Sequence, residues 1–195
     1  MGASRREPTI TVVSGLPRSG TSLMMKMLVM GGMPALTDQV READDDNPEG
    51  YYEYERVKSI KNGDIAWLEL AQGKVVKVIA ALVVHLPATY QYRVVFMKRA
   101  MPEILASQRK MLIRRGEDPD KISDEEMGRL FQKHLQQVEN WMDSQPNIQR
   151  LDISYNTLLK EPLPEIDRIN RFLGGWLDAG KMGEAIRLDL YRQRS

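Results

Sequence analysis

The chain has 195 residues, 42% apolar and 28% charged, enough for one sizeable core and one domain over residues 1–195. Its 28 basic and 27 acidic side chains leave a net charge of +1, unlike the gathered basic excess of a nucleic-acid binder, so no nucleic-acid partner is expected. The absence of cysteine excludes disulfides and thiolate metal sites, and two histidines, His85 and His134, argue against zinc.

In chain order, MGASRREPTI turns polar at once and lacks the apolar core of a signal peptide. Gly2 suggests myristoylation, but Arg6 stands where that motif wants Ser or Thr. Thr9 to Ser14 is a β-branched run read as a strand, and TSLMMKMLVM from Thr21 reads as a helix that stops at Gly31-Gly32. Between them lies GLPRSGTS, Gly15 to Ser22, which has the glycines and the final Ser of a phosphate loop but Thr21 where the Walker lysine belongs. Strand, glycine loop and helix aim the loop amides and the helix N-terminus at one anion.

Asp38 to Tyr52 is the most irregular stretch, and its Asp44-Asp45-Asp46 run reads as solvated. A helix is expected over Tyr54 to Leu70, then strands at Val75 to Ala80 and Tyr92 to Met97. The longest apolar run, Val78 to Val84, is too short to cross a bilayer, so a soluble, cytoplasmic protein with no membrane span is expected. Helices over Pro102 to Arg115 and Asp124 to Asp143, a strand at Ile148 to Ile153, and helices over Pro162 to Leu173 and Ala179 to Leu190 complete the pattern. Such alternation predicts an α/β fold, a parallel sheet with helices on both faces in three layers.

In such a sheet the ligand lies beyond the carboxyl ends of the strands. Arg99 sits just past a strand and Ser107 eight residues on, in the helix that Pro102 opens. That pair makes a second anion site, although an arginine at a sheet edge and a serine on a helix surface fit the same spacing.

GLPRSGTS followed by RAMPEILAS resembles the two nucleotide-binding motifs of the sulfotransferases that use 3′-phosphoadenosine 5′-phosphosulfate (PAPS). The family has a basic residue two before the loop's second glycine, here Arg18, and an Arg followed eight residues later by Ser, here Arg99 and Ser107. SYNTLLKEP, from Ser154 to Pro162, is similar to its stretch that sets a tyrosine, here Tyr155, near the adenine.

The resemblance implies a P-loop NTPase-like sulfotransferase fold, PAPS as donor, adenosine 3′,5′-bisphosphate (PAP) as product, and no metal. It places Pro17, Arg18, Ser19, Gly20, Thr21, Ser22, Arg99, Ser107 and Tyr155 at the donor. Thr21 and Ser22 would hold the 5′-phosphate, and Arg18 would stabilise the bridging oxygen as the sulfuryl group leaves. Two features depart from the cytosolic members: Leu23 stands where an aromatic stacks on adenine, and the chain ends in Tyr191-Arg192-Gln193-Arg194-Ser195 rather than a glycine-rich basic segment. Arg192 and Arg194 either take over that phosphate contact or are simply solvated.

Membrane-bound relatives place a catalytic glutamate after the first helix, where this chain offers Asp38, Glu42, Glu49 and Glu53. Glu53, behind two tyrosines, is the preferred base, although an acidic residue opening a helix fits equally. Lys77, in an apolar strand, is expected to touch the sulfuryl group, ahead of His85 as a proton carrier. The acceptor hydroxyl or amine belongs to a sugar, lipid, peptide or small phenol. A small-molecule kinase and a non-catalytic nucleotide-binding protein are the competing readings, with Thr21 in the lysine's place speaking against the kinase.

Overall fold

The computed structural model describes residues 9–38 and 52–186. Four strands, β1 (Thr9–Gly15), β2 (Val75–Lys77), β3 (Gln91–Lys98) and β4 (Ile148–Ser154), form one sheet in the order β2-β1-β3-β4. Every pairing is parallel, with Val13 opposite Lys77 and Val95, and Gly15 opposite Met97. β1 therefore lies inside the sheet, and the loop that follows it opens at the carboxyl edge, flanked by the ends of β2 and β3.

Strands buried on both faces need apolar side chains at successive positions rather than at alternate ones. Val12, Val94 and Phe96 face one core, against Trp67, Leu68, Val138 and Met142. Val13, Val95 and Met97 face the other, against Met24, Met25, Met27, Ile166 and Met182. The first core is roofed by a 3-10 helix (Glu55–Asn62), α2 (Leu68–Ala71), α3 (Ala80–Val83) and α5 (Asp124–Asp143). The second is roofed by α1 (Thr21–Met30), α6 (Tyr155–Lys160), α7 (Pro162–Phe172) and α8 (Ala179–Glu184). The helix α4 (Met101–Arg114) leads from β3 to α5.

Local sequence explains most boundaries. Pro102 sits in the first turn of α4, where its missing N–H costs nothing. The Ser123 hydroxyl accepts from the Glu126 amide at 3.2 Å, and Asp124, Glu125 and Glu126 meet the positive end of the α5 dipole. Ser154 and Asp178 cap α6 and α8 in the same way.

Two expected elements differ. The strand read over Val75 to Ala80 ends at Lys77, because Ile79 turns out of the sheet and the apolar run continues as α3. The helix read over Tyr54 to Leu70 is two short pieces: Gly63, at φ +87°, stops the 3-10 helix, whose buried Val57 and Ile60 are three residues apart as that helix requires. The helix expected over Ala179 to Leu190 is seen as α8, and its remainder runs beyond the described residues. Among the described residues, no helix is long and apolar enough to cross a membrane.

Candidate active site

The loop is shaped by two glycines. Gly15, at φ +149°, passes so near β3 that a Cβ would lie 2.6 Å from the Met97 carbonyl oxygen. Gly20, at φ +97°, opens α1, and a Cβ there would lie 2.3 Å from the Tyr155 ring. Arg18 also has a positive φ, 69°, which bends the loop between them. The first bond within α1 runs from the Met24 amide to the Gly20 carbonyl oxygen. The amides of Thr21, Ser22 and Leu23 precede it, so they turn toward the carboxyl edge as donors for an anion.

On the β2 side of the loop, the Lys77 ammonium donates to the Ser22 hydroxyl at 3.1 Å and lies 3.8 Å from the Glu53 carboxylate. The Lys77 side chain is only 8% exposed. Glu53 is set by its own backbone, whose carbonyl oxygen accepts from the Thr37 hydroxyl at 2.9 Å and the Asp38 amide at 3.3 Å. Thus two residues that the sequence offered for chemistry, Glu53 and Lys77, meet beside the loop serine.

On the β3 side, Arg18 Nε donates to the Ser107 hydroxyl at 2.7 Å. Arg99 donates from Nη1 to the Arg18 carbonyl oxygen at 3.0 Å and from Nε to Glu103 at 2.8 Å, and its guanidinium lies 4.7 Å from the Tyr155 ring centre. Arg18, Arg99, Ser107 and Tyr155 therefore converge. This cluster lies across the loop from Lys77, since β2 and β3 flank β1 on opposite sides.

Other residues take different places. Ser19 is 1% exposed and turns both its hydroxyl (2.7 Å) and its amide (3.2 Å) inward to the Leu16 carbonyl oxygen, so it stiffens the loop. Pro17 is exposed on the loop, Thr21 is buried, and Leu23 points into the core. Asp38 accepts the Glu55 amide at 2.6 Å, which engages its carboxylate at the start of the 3-10 helix. His85 is exposed, two residues before Pro87, whose carbonyl oxygen accepts from the Tyr92 hydroxyl near the start of β3, at the edge of the sheet away from the loop. Glu42, Glu49, Asp44-Asp45-Asp46, Arg192 and Arg194 lie outside the described residues.

Two partners of the arginine cluster escaped the sequence reading. Glu103, one helical turn after Arg99, also accepts from Asn156 Nδ2 at 2.8 Å, and Asn156 Oδ1 accepts the Ala100 amide at 3.1 Å. The signal was an Arg and a Glu at i and i+4 on the opening turn of a helix.

A glycine loop that presents helix-opening amides at the carboxyl edge of a parallel sheet, with cations on both flanks, defines a phosphate-binding α/β protein of the P-loop type. Within that class the family is settled by the match of the sulfotransferase domain model to residues 8–189: the chain belongs to the sulfotransferase family and is a transferase. Solved structures share its fold, two sulfotransferase domains among them. One is the sulfotransferase domain from the curacin biosynthetic pathway, 15% identical, with 93% of this chain and 79% of that chain covered and a TM-score of 0.54. The other is the sulfotransferase domain of the Synechococcus PCC 7002 olefin synthase, 12% identical, covering 99% and 86%, with a TM-score of 0.51. No curated protein sequence matches the chain.

Proposed function

We propose that the protein transfers a sulfuryl group from PAPS to a hydroxyl or amine of a small-molecule, glycan or peptide acceptor, as a soluble cytoplasmic enzyme. The observation that carries this reading is the pair of cationic flanks on one loop: Lys77 with Ser22 and Glu53 on one side, Arg99 with Arg18 and Ser107 on the other. A donor with an anhydride at one end and a separate 3′-phosphate at the other matches two such flanks.

The residues present fit that donor. The amides of Thr21 and Ser22 and the Ser22 hydroxyl would hold the 5′-phosphate, and Arg99 and Ser107 the 3′-phosphate. Tyr155 is 5% exposed and covered by Gly20 and Arg99, so its part is to brace the donor site from beneath. Glu53 would accept the acceptor's proton as the acceptor oxygen or nitrogen bonds to sulfur and the sulfur–oxygen bond to the 5′-phosphate breaks, its electron pair leaving with PAP. Lys77 is placed to stabilise charge on the sulfuryl group and the leaving oxygen. Arg18, whose Nε is held by the Ser107 hydroxyl, would offer its terminal nitrogens to the same oxygen.

The reading calls for no metal, because the Ser22 hydroxyl, which in a Walker loop would hold magnesium, bonds the Lys77 ammonium here, and that cation supplies the positive charge from β2. Thermal melting tests it. PAP at about a hundred times its Kd should raise the melting temperature by roughly 5–10 °C, unchanged by EDTA. ATP with magnesium should have a smaller effect, and labelled PAPS should lose its sulfuryl group to acceptor or water. A larger shift with ATP and magnesium than with PAP would overturn the proposal.

A further inference from the structure

The Arg99 guanidinium is held by the Arg18 carbonyl oxygen, by the Tyr155 ring and by one buried carboxylate, that of Glu103. Glu103 is 9% exposed. One oxygen takes Arg99 Nε at 2.8 Å and the other takes Asn156 Nδ2 at 2.8 Å. Asn156 is in turn fastened to the chain beside Arg99, its Oδ1 accepting the Ala100 amide at 3.1 Å. The result is a closed ring from Arg99 to Glu103 to Asn156 and back to the residue after Arg99, joining the opening turn of α4 to α6.

We infer that Glu103, with Asn156, is the positioning pair that aims Arg99 and thereby sets the preference of this site for a 3′-phosphorylated adenosine nucleotide over one without that phosphate. The inference rests on the assignment of Arg99 to the 3′-phosphate. An arginine side chain has several rotatable bonds, and recognition of one phosphate requires them fixed beforehand. Here Nε is held by Glu103, Nη1 by the Arg18 carbonyl oxygen, and one face by the Tyr155 ring. Arg18 and Tyr155 also serve the loop, whereas the two oxygens of Glu103 bond Arg99 and Asn156, one each. A carboxylate this close to a phosphate-binding cation lowers the local positive charge, so attraction alone does not account for its place. Orientation does: a bidentate phosphate contact depends on the direction of the guanidinium fork.

The test is the ratio of affinities for PAP and for adenosine 5′-monophosphate, measured by calorimetry on folded protein. Glu103→Ala should lower that ratio by roughly tenfold, with 5′-monophosphate affinity within about threefold of the parent. Glu103→Gln keeps an oxygen for Arg99 Nε and should recover most of the loss. Asn156→Ala, which leaves both Arg99 and Glu103 in place, should lower the ratio by about threefold, and it carries the test if Glu103→Ala folds poorly. Arg99→Ala is the reference and should bring the two affinities close together.

If Arg99→Ala collapses the ratio while Glu103→Ala and Asn156→Ala leave it unchanged, the pair merely ties α4 to α6 and the inference is wrong. If Arg99→Ala itself leaves the ratio unchanged, the assignment of Arg99 to the 3′-phosphate fails, and the inference falls with it. A purely structural role would lower melting temperature and reduce both affinities together, which also overturns it.

Discussion

Replacing Lys77 with methionine removes one charge from the β2 flank of the loop while keeping a side chain of similar length. The ammonium is 3.1 Å from the Ser22 hydroxyl and almost wholly buried, so bulk water screens it little. Two full charges about 4 Å apart attract by about 4 kcal/mol at an effective dielectric constant near 20. If about half a charge develops on the sulfuryl group and leaving oxygen, the loss is about 2 kcal/mol, or roughly thirtyfold in rate. The substitution also removes the Lys77–Glu53 ion pair, so stability should fall. Lys77→Met with Glu53→Gln should recover stability but not turnover. The assay is single-turnover transfer from labelled PAPS with enzyme in excess, to acceptor or to water, with folded protein quantified by circular dichroism. Turnover should drop roughly thirtyfold, with donor Kd changed by less than about threefold. Turnover per folded molecule within threefold of the parent would refute the reasoning and leave Lys77 as an anchor for Ser22.

Three further outcomes are expected. Arg18→Ala should lower turnover by roughly a hundredfold with a modest change in donor affinity, and Arg18→Lys should restore part of the rate; near-normal turnover of the Ala variant in the same assay removes Arg18 from the chemistry. Gly20→Ala combines a positive φ with a Cβ 2.3 Å from the Tyr155 ring, so it should cost about 1–3 kcal/mol of stability and weaken PAP binding, read by denaturant melts and calorimetry. Burial acts to lower the Lys98 pKa, but hydrogen bonds to Asp152 and Glu139 outweigh it and the net shift is upward. Its stabilising contribution is therefore complete below the unfolded lysine value of about 10.4 and lost as pH rises through the higher folded value. Tyr92, pushed up by burial, destabilises over the same window, so the comparison is between parent and Lys98→Met, whose melting temperature should fall less steeply above about pH 10. Parallel curves refute the Lys98 assignment.

The elements legible in the sequence were those whose signal is local. β1, α1 and the loop between them follow from a β-branched run, two glycines and an apolar helix, and α4 and α5 announce themselves by Pro102 and by Ser123 before three acidic residues. The end of β2 was not legible, because Val78 to Val84 is apolar without a period and serves a turn and a short helix as readily as a strand. Glu53, Lys77, Arg18, Arg99 and Ser107 were chosen by residue type, spacing and resemblance. That Arg18 bonds Ser107, 89 positions away, and that Glu103 bonds Asn156, 53 positions away, had no local trace. Such contacts are set by strand order, which brings the ends of β1, β3 and β4 side by side.

The Tyr155 ring beneath Gly20 makes the first loop of the chain depend on one of its later helices. During synthesis, β1, the loop and α1 are complete long before α6 has been made, and the sheet they join has no hairpin to close early, since every neighbour is parallel. An N-terminal fragment that keeps the whole glycine motif but stops before Ser154 would thus carry the signature without the support that gives the loop its shape. In this protein the shape of the glycine loop arrives late, as a property of the assembled sheet.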